Sequence, residues 1–165
     1  MKLITQNLIT MALLCLLASC SPENIEDLDS SQDLASELNL VNDDKFSEEI
    51  HEAVNNYRSS INLSPLSLHF PAKEQAMQHT AYMIDAKRIS HDNFSQRSNN
   101  LREFGATSIG ENVAVGFRTA EDVLQGWLDS PEHRAVIEGN FTHSGISVAR
   151  NPNGIHYFTH IFVRQ

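Results

Sequence analysis

Glu111 lies in the run Gly110-Glu111-Asn112-Val113-Ala114-Val115-Gly116-Phe117. Its apolar residues alternate at period two, the pattern of a strand with one buried face. Val113, Val115 and Phe117 share that face with Glu111, so a carboxylate is expected on the buried side. Burying an unpaired carboxylate is costly, and Glu111 must therefore be neutral, pair with a base or bind a cation. Two readings stand: a structural ion pair with Arg97, or a carboxylate that belongs to a site. His133 is a second candidate. It falls in the first turn of a helix opened by Ser130 as cap and Pro131 as first helical residue, where the positive helix end disfavours imidazolium. A neutral imidazole there can accept a hydrogen bond or ligate a metal; the plain alternative is a histidine that only helps to start a helix. His79 is expected on the inner face of a helix with Ala72, Ala76, Met83 and Ala86.

Other chemistries find less support. No Gly-x-Ser-x-Gly elbow occurs, and Ser130, near His133, is expected to spend its hydroxyl on capping. The two cysteines, Cys15 and Cys20, precede the folded part, which leaves it no thiol nucleophile and no disulfide. His51-Glu52 is followed by Asn55 where a zinc-protease helix needs a second histidine. His51, His69, His143, His156 and His160 read as surface or packing residues. No basic patch or interleaved aromatic run points to nucleic acid.

The elements that position these residues are legible in order. Ser47 can cap a first helix carrying Ile50, Val54, Tyr57 and Ile61 on one face, ending near Asn62. Pro71 suits the start of a second helix, and a short third runs around Asn99 to Phe104, closed by Gly105. The Glu111 strand follows. Thr119 caps a helix with Val123, Leu124, Trp127 and Leu128, and the Ser130-Pro131 helix ends at Gly139. Strands near Ser144 to Ala149 and Ile155 to Arg164 are joined by the Asn151-Pro152-Asn153-Gly154 turn.

The amino-terminal part reads as an address. Lys2 precedes an apolar stretch, Leu8 to Leu17, too short to span a bilayer, so residues 1–19 are expected to be a signal peptide. Leu17-Ala18-Ser19-Cys20 resembles a lipobox, which implies lipidation of Cys20 and a membrane partner through that anchor. Ser21 after the cysteine implies the outer membrane in a Gram-negative cell. Residues 21–45 hold eight acids and one base, −7 of the chain's −9. Residues 20–45 therefore read as an acidic flexible tether, and residues 46–165 as one domain, expected to be a monomer.

Within that domain an ordered series carries a resemblance. Asn55-Asn56-Tyr57-Arg58, Pro65-Leu66, the Ala76 to Met83 segment, Ser90-His91, Arg97, Gly110-Glu111-Asn112-Val113-Ala114, Gly126-Trp127, Ser130-Pro131-Glu132-His133-Arg134 and Gly145-Ile146 follow one another as in the bacterial branch of the CAP superfamily. This is the family of cysteine-rich secretory, antigen 5 and pathogenesis-related proteins, or SCP domain. The resemblance spans Phe46 to Phe162. It implies an α+β fold, a three-layer α-β-α sandwich around a mixed, mainly antiparallel sheet. It also implies a polar cleft with His91 and Glu111 at the family's first histidine and first glutamate. The family's second glutamate and second histidine are replaced here by Ser130 and Tyr157, and the Ser-Pro-x-His-Arg segment supplies His133 instead. The resulting expectations are a ligand cleft of His79, His91, Glu111, His133 and Tyr157, and no required cofactor. Zinc or another divalent cation on His91, Glu111 and His133 is a further expectation. Function is open between three readings. One is a non-enzymatic binding module for a lipid, small ligand or envelope protein. A second is a metal-dependent hydrolase of peptide or cell-wall bonds, with Glu111 as base and His79 as an additional ligand. The third is a structural envelope protein whose cleft is a core hydrogen-bond network.

Overall fold

The first helix, α1 (Asp44–Ser60), begins where an aspartate receives it: the Asp43 carboxylate accepts from the Phe46 amide at 3.1 Å. The computed structural model describes residues 42–165; the expected signal segment, Cys20 and most of the expected tether lie outside the described residues. Ser47, the expected cap, is buried in the first turn and donates to the Asp43 carbonyl at 2.9 Å. The ordered body reaches back past Phe46, because Asn42 bridges Ala149 and Asp44 pairs with Lys73 at 2.8 Å.

A two-residue strand, β1 (Ser67–Leu68), leads to α2 (Phe70–Asp85), whose first turn holds Pro71 and is capped by His69 Nδ1 accepting from the Ala72 amide. Helix α3 (Phe94–Glu103) starts five residues before the expected Asn99, from Asn93 in the left-handed region, and is followed by Gly105 at φ 88°. Next come β2 (Ser108–Val115) and α4 (Ala120–Leu128), with Thr119 Oγ1 accepting from the Asp122 amide at 3.1 Å. After them stand α5 (Pro131–Ile137), β3 (His143–Arg150) and β4 (His156–Arg164). Among the described residues, no helix is long and apolar enough to cross a membrane.

The sheet order is β1-β3-β4-β2, with β1 parallel to β3 and the other two ladders antiparallel. Alternation along β4 builds two cores. Phe158 and Phe162 meet Ile50 and Val54 of α1, Trp127 of α4 and Ile137 of α5 on one side; Ile161 and Val163 meet Ala72 and Ala76 of α2 and Leu101 of α3 on the other. The result is the expected three-layer α-β-α sandwich. Gly145 lets α2 lie directly on β3, since a Cβ there would lie 2.0 Å from the Lys73 amide nitrogen in the first turn of α2.

Alternation along β2 holds for Val113, which packs on the α2 side with Met83 and Tyr157. It fails at Phe117. Gly116 adopts φ 89°, a conformation open to glycine, and the turn carries the Phe117 ring onto Phe158 in the opposite core, 6.4 Å between centroids. Arg58 ties the far end together. Its buried guanidinium donates to the carbonyls of Ser64, Ile137, Gly139 and Phe141, satisfying the end of α5 with a cation as the helix dipole favours.

Candidate functional site

Strand β2 is an edge strand, and Glu111 enters the α2 side of the sheet from it with a side chain only 1% exposed. Its charge is fully answered. Arg97, from the first turns of α3, donates from Nε to Oε2 and from Nη2 to Oε1, both at 2.8 Å. This is the two-pronged geometry that makes Arg–carboxylate pairs strong. His91, in the loop before α3, adds a third hydrogen bond to Oε1 at 2.8 Å. A carboxylate can only accept, so a proton is on His91 Nδ1, and the ring that carries it is half-exposed. Burial opposes charge on Glu111, but the bonds from His91 and Arg97 and the Arg97 charge outweigh it and hold the carboxyl below its ordinary range.

Two backbone carbonyls complete the centre. Ser90 accepts from His79 Nε2 at 2.7 Å, and Asp92 accepts from Arg97 Nη1 at 2.6 Å. His79 Nε2 stands 3.9 Å from Glu111 Oε1. Burial, with the nearby Arg97 charge, lowers the proton affinity of His79 and keeps its ring neutral. The Asp92 side chain accepts from Tyr82 at 2.7 Å and pairs with Arg88, and the Tyr82 ring stacks on His79 at 5.8 Å and 14°. Asp92 lies in none of the resembling segments, and Ser90 and Tyr82 lie within them with no role marked; Ser90 and Asp92 act through carbonyls that any residue type supplies.

His133 reaches this region from the other side. Glu111 and Asn112 point to opposite faces of the sheet, and the Asn112 amide donates to the His133 carbonyl at 3.0 Å. The half-buried His133 is therefore tied to β2 from the sheet face opposite Glu111. Its proton affinity is lowered, first by burial and then by proximity to His91; the direction matches expectation, whereas the expected cause is the helix end. Ser130 is the N-cap residue of α5, but its hydroxyl donates to Glu132 at 3.2 Å rather than capping. Tyr157 shares the Glu111 face without joining it: it pairs with Val115, four residues along β2 and so about 13 Å away, and packs with Met83 and Val113.

The expected metal set is not assembled. Among the described residues, no three His, Cys, Asp or Glu side chains stand together as a group able to hold a metal ion. The donor chemistry accounts for this: Glu111 is bracketed by a guanidinium at 2.8 Å, which repels a cation, and His79 Nε2 carries a proton it gives to Ser90. These residues as arranged do not fit a divalent ion.

A mixed sheet sandwiched by helices, with a buried Glu-Arg-His centre at its edge, defines an α+β sandwich of SCP type. The chain matches the cysteine-rich secretory protein (CAP) family over residues 51–163 and belongs to that family. It is 27% identical over 106 residues to the uncharacterised protein YkwD of Bacillus subtilis, covering 61% of this chain and 41% of that protein. To the uncharacterised membrane protein YlbC of the same organism it is 27% identical over 122 residues, 71% of this chain and 34% of that one. The chain thus spans well under half the length of either relative. Among solved structures, an extracellular SCP-domain protein from Bacillus anthracis superposes with a TM-score of 0.64 at 27% identity, covering 74% of this chain and 41% of that one. An outer surface protein of Borrelia burgdorferi superposes with a TM-score of 0.70 at 16% identity, over 76% of this chain and 97% of that one, a likeness of fold alone.

Proposed function

We propose that this chain is an extracytoplasmic binding module, held at the cell envelope by a lipid on Cys20, whose cleft presents His91 and His133 around a fixed Glu111–Arg97 pair. One observation carries the reading of the cleft. Both oxygens of Glu111 accept from Arg97, and Oε1 accepts from His91 as well, so this carboxylate is neither a free base nor an open metal ligand. What it does is orient. It holds a proton on His91 Nδ1 and fixes the orientation of a half-exposed ring, a recognition feature. Envelope placement rests on the signal and Cys20 readings of the sequence, and it accords with the extracellular description of the Bacillus anthracis SCP-domain protein.

A second, hydrolytic reading has one observation in its favour. A histidine held through Nδ1 by a buried carboxylate and exposing Nε2 is the arrangement of a general base, here His91 acting on water. The two readings separate in one experiment. The imidazole NMR signals of His91 and His133 are followed while soluble envelope lipid and glycan fractions are added, and the fractions are analysed afterwards. Saturable shifts with unchanged fractions support binding. Cleaved products lost in His91→Ala support hydrolysis, and unmoved signals with unchanged fractions refute both. For the anchor, the protein should incorporate labelled palmitate and Cys20→Ser should not; label retained in Cys20→Ser refutes lipidation at that residue.

A further inference from the structure

Behind the Glu111 centre, between α2 and α3, lies a cavity of about 140 Å³ lined by five carboxamides, Gln75, Gln78, Asn93, Gln96 and Asn100. His79, Tyr82 and Arg97 complete its lining. Arg97 alone carries a full charge, and Glu111 neutralises it from below with two hydrogen bonds. The cavity is therefore electrically balanced and rich in groups that both donate and accept.

Much of that capacity is unspent. Asn93 stands at the N-cap of α3, yet its side chain makes no capping bond, because its backbone is in the left-handed region at φ 59°. Gln78 and Gln96 likewise have no hydrogen-bond partner among the described residues, whereas Gln75 accepts from Asn100 at 3.3 Å. At the floor, His79 is 2% exposed and spends Nε2 on Ser90, which leaves Nδ1 as an acceptor. Arg97, 6% exposed, commits one N–H from each nitrogen, leaving one on Nη1 and one on Nη2. Tyr82 supplies an aromatic wall whose tilt is fixed from two sides, by Asp92 on its hydroxyl and His79 against its ring.

We infer that this cavity is a binding site for a neutral sugar ring, with an acetamido sugar the best fit. Hydroxyl groups pair with carboxamides in both senses, an acetamido group pairs with them as amide to amide, and the C–H face of a sugar packs on an aromatic ring. A charged ligand gains nothing here, since no net charge awaits it, and an apolar one would strand the amides. The inference deepens the binding-module reading, on which it rests, by naming a ligand class, but it places that ligand in the carboxamide cavity rather than at His91 and His133.

The test titrates the purified 15N-labelled protein with the trimer of N-acetylglucosamine and follows side-chain amide and imidazole signals. The expected result is saturable movement of the Gln78, Asn93 and Gln96 amides. Affinity should fall about tenfold in Gln78→Ala and again in Gln96→Ala, as for the loss of one hydrogen bond each, and be unchanged in Glu121→Ala, an exposed position on α4 outside the cavity. Both glutamines are on helix surfaces, and unchanged backbone spectra verify the fold. Movement centred on His91 and His133, with Gln78→Ala binding normally, overturns the cavity assignment while sustaining the binding module. No movement at any trimer concentration overturns the sugar inference and leaves the cleft to be judged by its own titration.

Discussion

Removing Arg97 isolates the term on which the site depends. In Arg97→Met the Glu111 carboxylate stays 1% exposed and loses both prongs of its partner, keeping only His91. A buried ion pair broken on one side costs about 3–5 kcal/mol, and at about 3–5 °C per kcal/mol for a domain of this size the melting temperature at pH 7 should drop by about 9–25 °C. The pH dependence gives the sign. In the native protein the Glu111 carboxyl sits below its ordinary range, so its contribution is complete above the unfolded pKa, about 4.3, and is lost as pH falls through the folded value. In the variant burial prevails, and the folded pKa rises above the unfolded one. Protonating Glu111 then relieves the fold, and the gap between native and variant should narrow from pH 7 to pH 4.5. Circular dichroism melts at the two pH values measure this. The double variant Arg97→Met/Glu111→Leu should recover most of the loss, because neither charge is then stranded. A loss below about 1 kcal/mol, or a gap that does not change with pH, would refute the account of Glu111 as a buried charge held by Arg97.

Acid should weaken the fold by a second route. Burial leads the causes that lower the proton affinity of His51, His69, His79, His133, His156 and His160. Their contribution is whole above the unfolded value of about 6.5 and is lost as pH falls below it, so urea midpoints should decline from pH 7.5 to pH 5. His160 is fully buried with neither ring nitrogen bonded and lies 4.2 Å from the Phe162 ring. His160→Phe should therefore gain about 1 kcal/mol at pH 7.5 by removing an orphaned polar group and flatten part of the acid slope; a loss of stability contradicts this. Gly145→Ala should cost about 3 kcal/mol or more, since its methyl would meet the α2 backbone at 2.0 Å, and a variant melting within about 2–3 °C of the native protein, the effect of under about 1 kcal/mol, shows that the approach is looser.

Local signals made much of this structure readable. Thr119 caps where its hydroxyl predicts, the Asn151–Gly154 turn joins the last two strands, and period-two alternation places Glu111 beside Val113 on a buried face. Misses occur where position depends on something distant. Asp43 outcompetes Ser47 as cap because the chain before α1 is anchored on Ala149, more than 100 residues later. Phe117 leaves the Glu111 face because Gly116 turns the backbone. Within the site, the Glu111–Arg97 pair is one of two readings the sequence allows, and the structure joins them: the pair exists and His91 completes it. The spacing of His133 from Glu111 shows no relation between them, because they lie on opposite faces of the sheet, joined only through the neighbouring Asn112. Tyr157, identified through family position, stays in the core four residues along the sheet.

The most direct test of the central claim, that Glu111 is an ionised and fully partnered carboxylate, is its own titration. Carbon-13 NMR of the Glu111 side-chain carboxyl from pH 7 to pH 3, with long-range nitrogen-15 spectra of His91, reads its charge and its partner together. The account predicts a carboxylate signal that persists below the ordinary glutamate range, with the proton on His91 Nδ1. A carboxyl that titrates at or above that range, or a His91 protonated on Nε2 alone at pH 7, would contradict it.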